Sequence, residues 1–281
     1  VIMPTPCWVS YVEMVKIAQG KSVLVKTTMD NNFCLTAEQL EEAITPNTKL
    51  LMLCSPNNPT GSVYTLDNLK ALVEVLKRHP QVVVLADEIY QHILYTGKHQ
   101  TLAQFPELED RLILINGVSK AYAMTGYRIG WMATHDKELL TAVKRLQGQT
   151  ISCATTIAQK AAEAAYAGPQ ECVEEMRQAF ERRRNLIVAL AKEIPGMKVL
   201  EPQGAFYLFP DVSAFFGKQY NGQVISNADD LVTYLLQEGH VACVSGSAFG
   251  EDNCIRFSYA TSEELIIEAM RRMKEALSKL Q

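Results

Sequence analysis

The sequence predicts an α/β protein in which helices sandwich a mostly parallel sheet and a smaller α+β unit follows. Short apolar runs of buried-strand length alternate with amphipathic helical runs through the first two-thirds of the chain. A long, charged helical pattern then covers residues 170–193, and the strand candidates after it are shorter. Because parallel strands need crossover connections, buried strands that alternate with helices indicate a parallel sheet.

The first two-thirds of the chain supply the elements of this sheet. The chain starts in what resembles the end of a strand, and further strands are predicted at residues 22–26, 49–54, 81–86, 111–115 and, more weakly, 130–134. A short helix is predicted at residues 36–44, where Thr36 and Gln39 have the spacing of a capping box. Another helix, at residues 66–78, places four apolar side chains on one face: Leu69, Leu72, Val73 and Leu76.

The last third is predicted to form a separate, smaller unit. Its helix candidates are residues 228–238 and 262–280, and its strand candidates are residues 197–200, 205–209, 241–244 and 254–259. We therefore divide the chain into a large domain, residues 1–180, and a small domain, residues 181–281. The boundary lies inside the long charged helix.

Composition and charge exclude several classes of protein. A chain of 281 residues that is 48% hydrophobic and 21% charged can bury a sizeable core. The net charge of −4, with both signs interleaved, argues against nucleic acid or a membrane surface as a partner. No apolar run reaches the roughly 18 residues of a membrane span, and no signal peptide is visible. Seven scattered cysteines without a CxxC pair favour a cytoplasmic protein, and the histidines show no metal-site spacing.

An amide, a carboxylate and a lysine follow three successive buried strands. Asn58 lies in SPNNPTG after the first of these strands, Asp87 begins DEIY after the second, and Lys120 ends NGVSK after the third. In open α/β sheets, ligands bind beyond the carboxyl ends of the strands. We therefore expect the three side chains to face one crevice.

Each of these features also has an ordinary structural interpretation. Residues 55–61 could form only a turn, Asp87 could cap a helix that begins at Glu88, and a lone lysine usually lies at the surface. Their joint occurrence favours chemistry, because a lysine amine forms a Schiff base with an aldehyde cofactor and a carboxylate keeps a pyridine nitrogen protonated. Asn58 and Tyr90 could hydrogen-bond the phenolate oxygen of such a ring.

The ordered set SPNNPTG, ADEIY and SKAYAMTGYRIGW resembles the motifs of class I/II aminotransferases, which are pyridoxal-phosphate enzymes of fold type I. The resemblance extends from PTPCWVSY at residues 4–11 to CIRFS at residues 254–258. It implies pyridoxal 5′-phosphate as cofactor, small-molecule amino acid and 2-oxo acid substrates, and a homodimer. Chains of this family are usually longer, so we expect an N-terminal part of the large domain to precede Val1.

The resemblance also implies a role for each matching residue. Lys120 would hold the cofactor covalently and move the substrate's proton, and Asp87 would pair with the ring nitrogen. Tyr90 would contact the phenolate oxygen. Asn58 would bind the same oxygen and help to hold the substrate carboxylate, and Trp8 would stack on the ring.

Two arginines and a serine would bind anionic groups. Arg128 in GYRIG would bind the cofactor phosphate, with Ser119 as a weaker candidate. Arg256 in IRFS would clamp the substrate α-carboxylate, because a guanidinium fork binds a carboxylate through two parallel hydrogen bonds. Taken alone, Arg256 would more often form an ordinary salt bridge. Gly117 stands where many relatives have a hydroxyl residue, so one phosphate contact is expected to be absent.

The motifs are most similar to those of the bacterial branch that acts on aspartate, so transamination between aspartate and 2-oxoglutarate is predicted. Aminotransferases for aromatic and other amino acids share nearly the same motifs. A carbon–sulfur β-lyase of the same fold would use the same lysine and aspartate. A non-catalytic effector domain of a transcription regulator would need a DNA-binding segment, and nothing in this chain is strongly basic.

Overall fold

A six-stranded sheet forms the centre of the computed structural model, which describes residues 1–281. Its strands are β1 (Ile2–Thr5), β2 (Val23–Lys26), β3 (Leu50–Cys54), β4 (Val83–Asp87), β5 (Leu112–Gly117) and β6 (Gly130–Ala133). They follow the order β2-β1-β3-β4-β5-β6. The first five are parallel, and β6 runs antiparallel to β5. The mostly parallel sheet predicted from the sequence is confirmed.

Five helices connect or flank these strands: α1 (Val9–Ile17), α2 (Ala37–Ala43), α3 (Leu66–Arg78), α4 (Lys137–Thr150) and α5 (Thr156–Ala167). Helix α2 begins as its sequence indicates. The Thr36 hydroxyl accepts a hydrogen bond from the Gln39 N–H at 3.2 Å, and the Gln39 side chain accepts one from the Thr36 N–H at 3.1 Å. These bonds satisfy two backbone donors that a helix start leaves without partners.

Helix α3 packs its apolar face on the sheet. Its five buried side chains belong to one cluster with residues of β3 and β4: Leu69, Leu72, Val73, Val75 and Leu76. Burying a side chain of this size contributes about 1.5–3 kcal/mol. The face therefore stabilises the two strands whose ends carry Asn58 and Asp87.

The last third of the chain forms a second, smaller layer. It contains α6 (Glu171–Lys192), β7 (Tyr207–Leu208), β8 (Gln219–Tyr220), β9 (Gln223–Val224), α7 (Ala228–Glu238), β10 (Val244–Ser245), β11 (Ile255–Ser258) and α8 (Glu263–Ser278). Strands β10, β11 and β7 form an antiparallel sheet in that order. None of the helices in the molecule is both long enough and apolar enough to cross a membrane.

Two strand expectations in this part are corrected by the structure. Residues 197–200 form no strand, because their backbone pairs with the rest of the chain at a single bridge between Lys198 and Asp211. The strand expected at residues 241–244 begins only at Val244. A short apolar run resembles a strand in sequence, but a strand also needs a continuous partner.

The core of the small unit crosses the predicted domain boundary. A cluster of 29 buried side chains joins α6, α7, α8, β7 and β11. Tyr90, Ile93 and Tyr95, from the segment after β4, belong to the same cluster. The division at residue 180 stays a prediction, and the packing shows that the two parts share this core.

Candidate active site

A cavity of about 430 Å³ lies beyond the carboxyl ends of β1, β3, β4 and β5. It is lined by all eight residues that the sequence singles out: Trp8, Asn58, Asp87, Tyr90, Ser119, Lys120, Arg128 and Arg256. Six more residues complete the lining: Tyr11, Cys54, Ile89, Ile115, Thr125 and Tyr207. The structure thus brings the candidates together, and their individual roles stay predictions.

Asp87 is the last residue of β4 and is held by two hydrogen bonds. The Tyr11 hydroxyl donates to Oδ2 at 2.5 Å, and the Ile89 N–H donates to Oδ1 at 3.1 Å. Burial raises the pKa of Asp87, and it outweighs these two bonds and the Lys120 charge, which lower that pKa. No helix begins at Glu88, so Asp87 is not a helix cap.

Lys120 lies in the turn after β5 with its amine half-buried and without an ion pair. Its Nζ is 5.6 Å from the centre of the Tyr90 ring and 5.8 Å from that of Phe206. Burial lowers the pKa of Lys120, the positive charges of the cavity's two arginines lower it further, and the Asp87 carboxylate opposes both effects. A lysine with a lowered pKa has a larger neutral fraction at neutral pH, so more of its amine can act as a nucleophile or accept a proton.

Arg256 lies on β11 with its guanidinium close to two aromatic rings. Its guanidinium carbon is 4.7 Å from the ring centres of both Tyr207 and Phe249. Its Nη1 donates to Asn58 Oδ1 at 2.9 Å, and its buried Nε has no partner. Burial lowers the pKa of Arg256, but an arginine stays charged at any working pH. Part of the guanidinium fork is therefore free for a ligand.

Arg128 follows a 3₁₀ turn and takes a left-handed backbone conformation, with φ 53°. Its side chain is exposed, and its Nη1 donates to the carbonyl of Thr125 at 2.9 Å. A non-glycine residue rarely adopts this conformation unless the surrounding structure enforces it. Ser119, half-buried beside Lys120 in the chain, also lines the cavity and is the other candidate for binding an anion.

The segment that carries Asn58 packs closely against the small unit. At Gly61, where φ is +69°, an added Cβ would lie 2.6 Å from Pro202 Cβ and 2.8 Å from the Gly204 carbonyl oxygen. The Gly204 N–H donates to the Gly61 carbonyl at 2.9 Å. Only glycine satisfies both the backbone angle and the close approach, so this contact fixes the loop that positions Asn58.

Two tyrosines of the site were not among the sequence candidates. Tyr11, on α1, contacts Asp87 across 76 positions of sequence, and Tyr207, on β7, has its hydroxyl 2.9 Å from that of Tyr90 across 117 positions. Such long-range pairs leave no local pattern. The available signal is position, since Tyr11 lies in PTPCWVSY three residues after Trp8.

The charges of the cavity define what it can bind. Three cations line it (Lys120, Arg128 and Arg256), and none of them forms an ion pair with a carboxylate. A single half-buried carboxylate, Asp87, lines the same cavity. This arrangement suits a ligand with anionic groups and one cationic centre. The half-buried amine of lowered pKa adds the capacity for covalent and proton-transfer chemistry.

Comparison with known proteins gives a consistent family. The family model described as "Aminotransferase class I and II" matches residues 1–273. The bifunctional aspartate aminotransferase and glutamate/aspartate-prephenate aminotransferase of Petunia hybrida is 44% identical over 99% of this chain. The aspartate aminotransferase of Rhizobium meliloti (strain 1021) is 45% identical over 100% of this chain.

A solved structure extends the similarity to three dimensions. The crystal structure of the aspartate aminotransferase from Rhizobium meliloti has a TM-score of 0.96 to this chain at 44% identity, and 100% of this chain is covered. The chain spans 59% of the length of the Petunia relative, 69% of that of the Rhizobium relative and 70% of the crystal structure. In sequence and fold, the chain belongs to the class I and II aminotransferases.

Proposed function

We propose that this chain forms the catalytic centre of a pyridoxal-phosphate-dependent aminotransferase that transfers the amino group of L-aspartate to 2-oxoglutarate. One observation carries the proposal: Lys120 and the half-buried Asp87 face one cavity together with two arginines that have no ion pairs. The relatives named for aspartate, at 44% and 45% identity, support the choice of substrate.

The residues present fit pyridoxal phosphate. The buried Nε of Arg256 has no partner within the protein, and neither Lys120 nor Arg128 forms an ion pair, so anionic groups have several donors available. Asp87 suits a protonated pyridine nitrogen, and Trp8, 36% exposed at the start of α1, offers a ring face for stacking. When bound, the cofactor supplies an aldehyde that amines attack and a cationic ring that accepts electrons.

Different residues would hold the phosphate and the ring of the cofactor. Arg128 and Ser119 would bind the phosphate. Asp87 would pair with the ring nitrogen and keep a proton there. Tyr90 and Asn58 would hydrogen-bond the phenolate oxygen, and Asn58 is already oriented by its bond from the Arg256 guanidinium.

Lys120 performs the proton transfers. Its neutral amine takes the proton from the substrate α-carbon as a general base and later returns it as a general acid. The lowered pKa of Lys120 makes that neutral form more abundant. Arg256 binds the α-carboxylate meanwhile and so orients the α-carbon toward the amine.

Borohydride reduction after incubation with pyridoxal phosphate tests the cofactor and its lysine together. We expect peptide mass spectrometry to find a pyridoxyl adduct confined to Lys120. Lys120→Ala should lose the adduct and all transfer while retaining some non-covalent cofactor binding. Lys70→Ala, which changes an exposed lysine on α3, is the matched control and should keep the adduct. An unmodified Lys120 in the unaltered protein would overturn the assignment.

The reaction is tested with ¹⁵N-labelled aspartate and 2-oxoglutarate. We expect labelled glutamate to accumulate together with an equal amount of oxaloacetate. Asp87→Ala should bind the cofactor but stall proton abstraction. Release of pyruvate and sulfide from a sulfur amino acid, without any new amino acid, would instead identify a β-lyase.

We further propose that the protein works as a homodimer. Helix α4 buries none of its side chains. Large apolar residues are exposed on α4, directly after it and on α5: Leu146, Ile151 and Ile157, at 66%, 65% and 78% exposure. Contact with a second copy would remove this apolar surface from water. Light scattering should give twice the chain mass of 31.3 kDa; a concentration-independent mass of 31.3 kDa would contradict the proposal.

A further inference from the structure

Tyr207 contacts two groups of the proposed site at once. Its hydroxyl oxygen lies 2.9 Å from the hydroxyl oxygen of Tyr90, and its ring centre lies 4.7 Å from the guanidinium carbon of Arg256. The side chain is buried and lines the cavity. One residue of the small unit thus connects a side chain proposed for the cofactor ring with a side chain proposed for the substrate.

We infer that Tyr207 is a positioning residue that sets both the orientation of the Arg256 fork and the strength of the hydrogen bond that Tyr90 can donate. The inference rests on the proposed function, because Tyr90 and Arg256 act there on cofactor and substrate. It goes further by predicting that the two halves of the Tyr207 side chain, ring and hydroxyl, have separable effects.

The ring acts on Arg256. Tyr207 and Phe249 both lie 4.7 Å from the guanidinium, so two aromatic rings pack against it and restrict its rotation. The hydrogen bond from Nη1 to Asn58 Oδ1 fixes the remaining rotation in the plane. The buried Nε, which has no partner, is thereby held in one direction. A preorganised fork binds a carboxylate with less loss of side-chain entropy.

The sheet of the small unit keeps the two residues in register. Tyr207 lies on β7 opposite Ser258 of β11, and Arg256 is two residues before Ser258 on the same strand. Diagonal neighbours on paired strands are within reach of long and aromatic side chains. The stacking is therefore fixed by the backbone of the fold and does not depend on a mobile loop.

The hydroxyl acts on Tyr90. A phenol hydroxyl donates one hydrogen bond and accepts others, and Tyr207 is the partner that Tyr90 has within the protein. When Tyr90 donates to a ligand oxygen, its own oxygen can accept from Tyr207. A donor behind a hydroxyl polarises it and strengthens the bond it makes in front. Loss of the Tyr207 hydroxyl should therefore weaken the bond from Tyr90 to the phenolate oxygen.

The test compares three variants in protein loaded with pyridoxal phosphate. Tyr207→Phe removes the hydroxyl and keeps the ring, whereas Tyr207→Leu removes both. Tyr259→Phe is the matched control, because it deletes a buried hydroxyl that hydrogen-bonds Tyr95 and the Ala205 carbonyl, and Tyr259 does not line the cavity. Two quantities are measured: the dissociation constant of succinate, a dicarboxylate probe, and the pH midpoint at which the absorption of the bound cofactor changes.

We expect the two substitutions at residue 207 to affect succinate affinity differently and the pH midpoint equally. In Tyr207→Phe the midpoint should rise by roughly 0.5 pH unit, since a less well bonded phenolate oxygen is more basic, and succinate affinity should stay within about twofold. In Tyr207→Leu the midpoint should rise equally, and succinate should bind about fivefold more weakly. The Tyr259→Phe control should change neither. Tyr207→Met serves the same purpose should the leucine variant fail to fold.

Three outcomes would overturn the inference while leaving the proposed function intact. Equal succinate affinity in the phenylalanine and leucine variants would remove the role of the ring. An unchanged midpoint in Tyr207→Phe would remove the role of the hydroxyl. Equal shifts in the Tyr259→Phe control would show general loosening of the core. Failure of the unaltered protein to bind both pyridoxal phosphate and succinate would instead refute the proposed function, and the inference with it.

Discussion

The surroundings of Asp87 disfavour the ionised form of its carboxyl group. Burial raises the pKa of Asp87, and the bonds from Tyr11 and the Ile89 N–H counteract that rise only in part. Burial also raises the pKa of Tyr11, so its hydroxyl keeps the proton that it donates. The tyrosine is thus a dedicated donor that maintains the ionised form required beside a cationic ring nitrogen.

Replacement of Tyr11 by phenylalanine should therefore raise the pKa of Asp87 further, because the carboxylate loses a charge-assisted hydrogen bond. Activity that needs the ionised form should then be lost at a higher pH on the acidic side. We expect the acidic limb of the pH profile of kcat/KM to move by about 1 pH unit. Tyr234→Phe, which removes a hydroxyl bonded to the Ala276 carbonyl between α7 and α8, should leave the profile in place.

The same raised pKa predicts a cost in stability. Between the ordinary pKa of 3.8 and the raised value, the folded protein binds more protons at Asp87 than the unfolded chain does, so stability falls as the pH rises through that window. Asp87→Asn removes the charge and should raise the melting temperature of the cofactor-free protein at pH 7 while abolishing transfer. The gain should be smaller at pH 4, close to the ordinary pKa of 3.8, because a larger share of the carboxyl is then protonated in both states. Equal gains at pH 4 and pH 7 would contradict this account.

At the scale of single residues, the sequence identifies site residues that lie inside recognisable motifs. Lys120, Asp87 and Asn58 follow buried strands, and this position is readable because strands and their ends have local signatures. Tyr11 and Tyr207 act through contacts made only when distant segments pack together. Which hydroxyl reaches which carboxylate depends on tertiary geometry, and no spacing rule supplies it.

At the scale of elements, the pairing of β5 with β6 depends on two glycines. Gly117 and Gly130 are opposite each other, and a Cβ at residue 117 would lie 2.8 Å from Gly130 Cα and 3.0 Å from the Ile129 carbonyl oxygen. The backbones could not approach this closely with any larger residue. The lack of a hydroxyl side chain at residue 117 thus has a structural reason.

Gly117→Ala should force these strands apart. We expect the free energy of unfolding to fall by about 1–3 kcal/mol, and cofactor affinity to fall as well, because Lys120 follows three residues later. Urea unfolding and absorption titration measure the two effects. Gly148→Ala on α4 is the control: nothing lies within 4 Å of its added Cβ, so it should be neutral or stabilise by up to about 1 kcal/mol. Similar losses in both variants would refute the steric explanation.

The elements that the sequence predicts best are those that bury a continuous stripe of apolar side chains. Helix α3 is predicted to the residue because five of its side chains are buried. Helix α1 buries only Tyr11 and Val15 and shows no strong apolar period, whereas α4 is amphipathic but buries none of its side chains. The antiparallel direction of β6 is also invisible in sequence, because an apolar run does not encode the direction of its partner.

At the scale of the whole molecule, the two predicted domains share a core. The segment from Tyr90 to Tyr95 lies in the large part but packs into the cluster of the small one. Asp87 and Lys120 of the cavity come from one part, and Tyr207 and Arg256 come from the other. The site therefore exists only while both parts are folded together.

We expect one cooperative unfolding transition for the whole chain. Both tryptophans, Trp8 and Trp131, lie within residues 1–180, so their fluorescence reports on the large part alone, whereas far-UV circular dichroism reports on the entire chain. The two signals should follow the same curve in urea. A circular dichroism transition that splits, with one phase silent in fluorescence, would show that the small part unfolds independently.

The excess of positive charge in the cavity has a practical consequence for handling the protein. Three cations without ion pairs attract any abundant small anion, and inorganic phosphate resembles the end of the cofactor that Arg128 is proposed to hold. Protein purified in phosphate or sulfate should thus take up pyridoxal phosphate more slowly than protein kept in a chloride buffer of the same ionic strength. The choice of buffer would then decide whether a preparation looks inactive or merely unloaded.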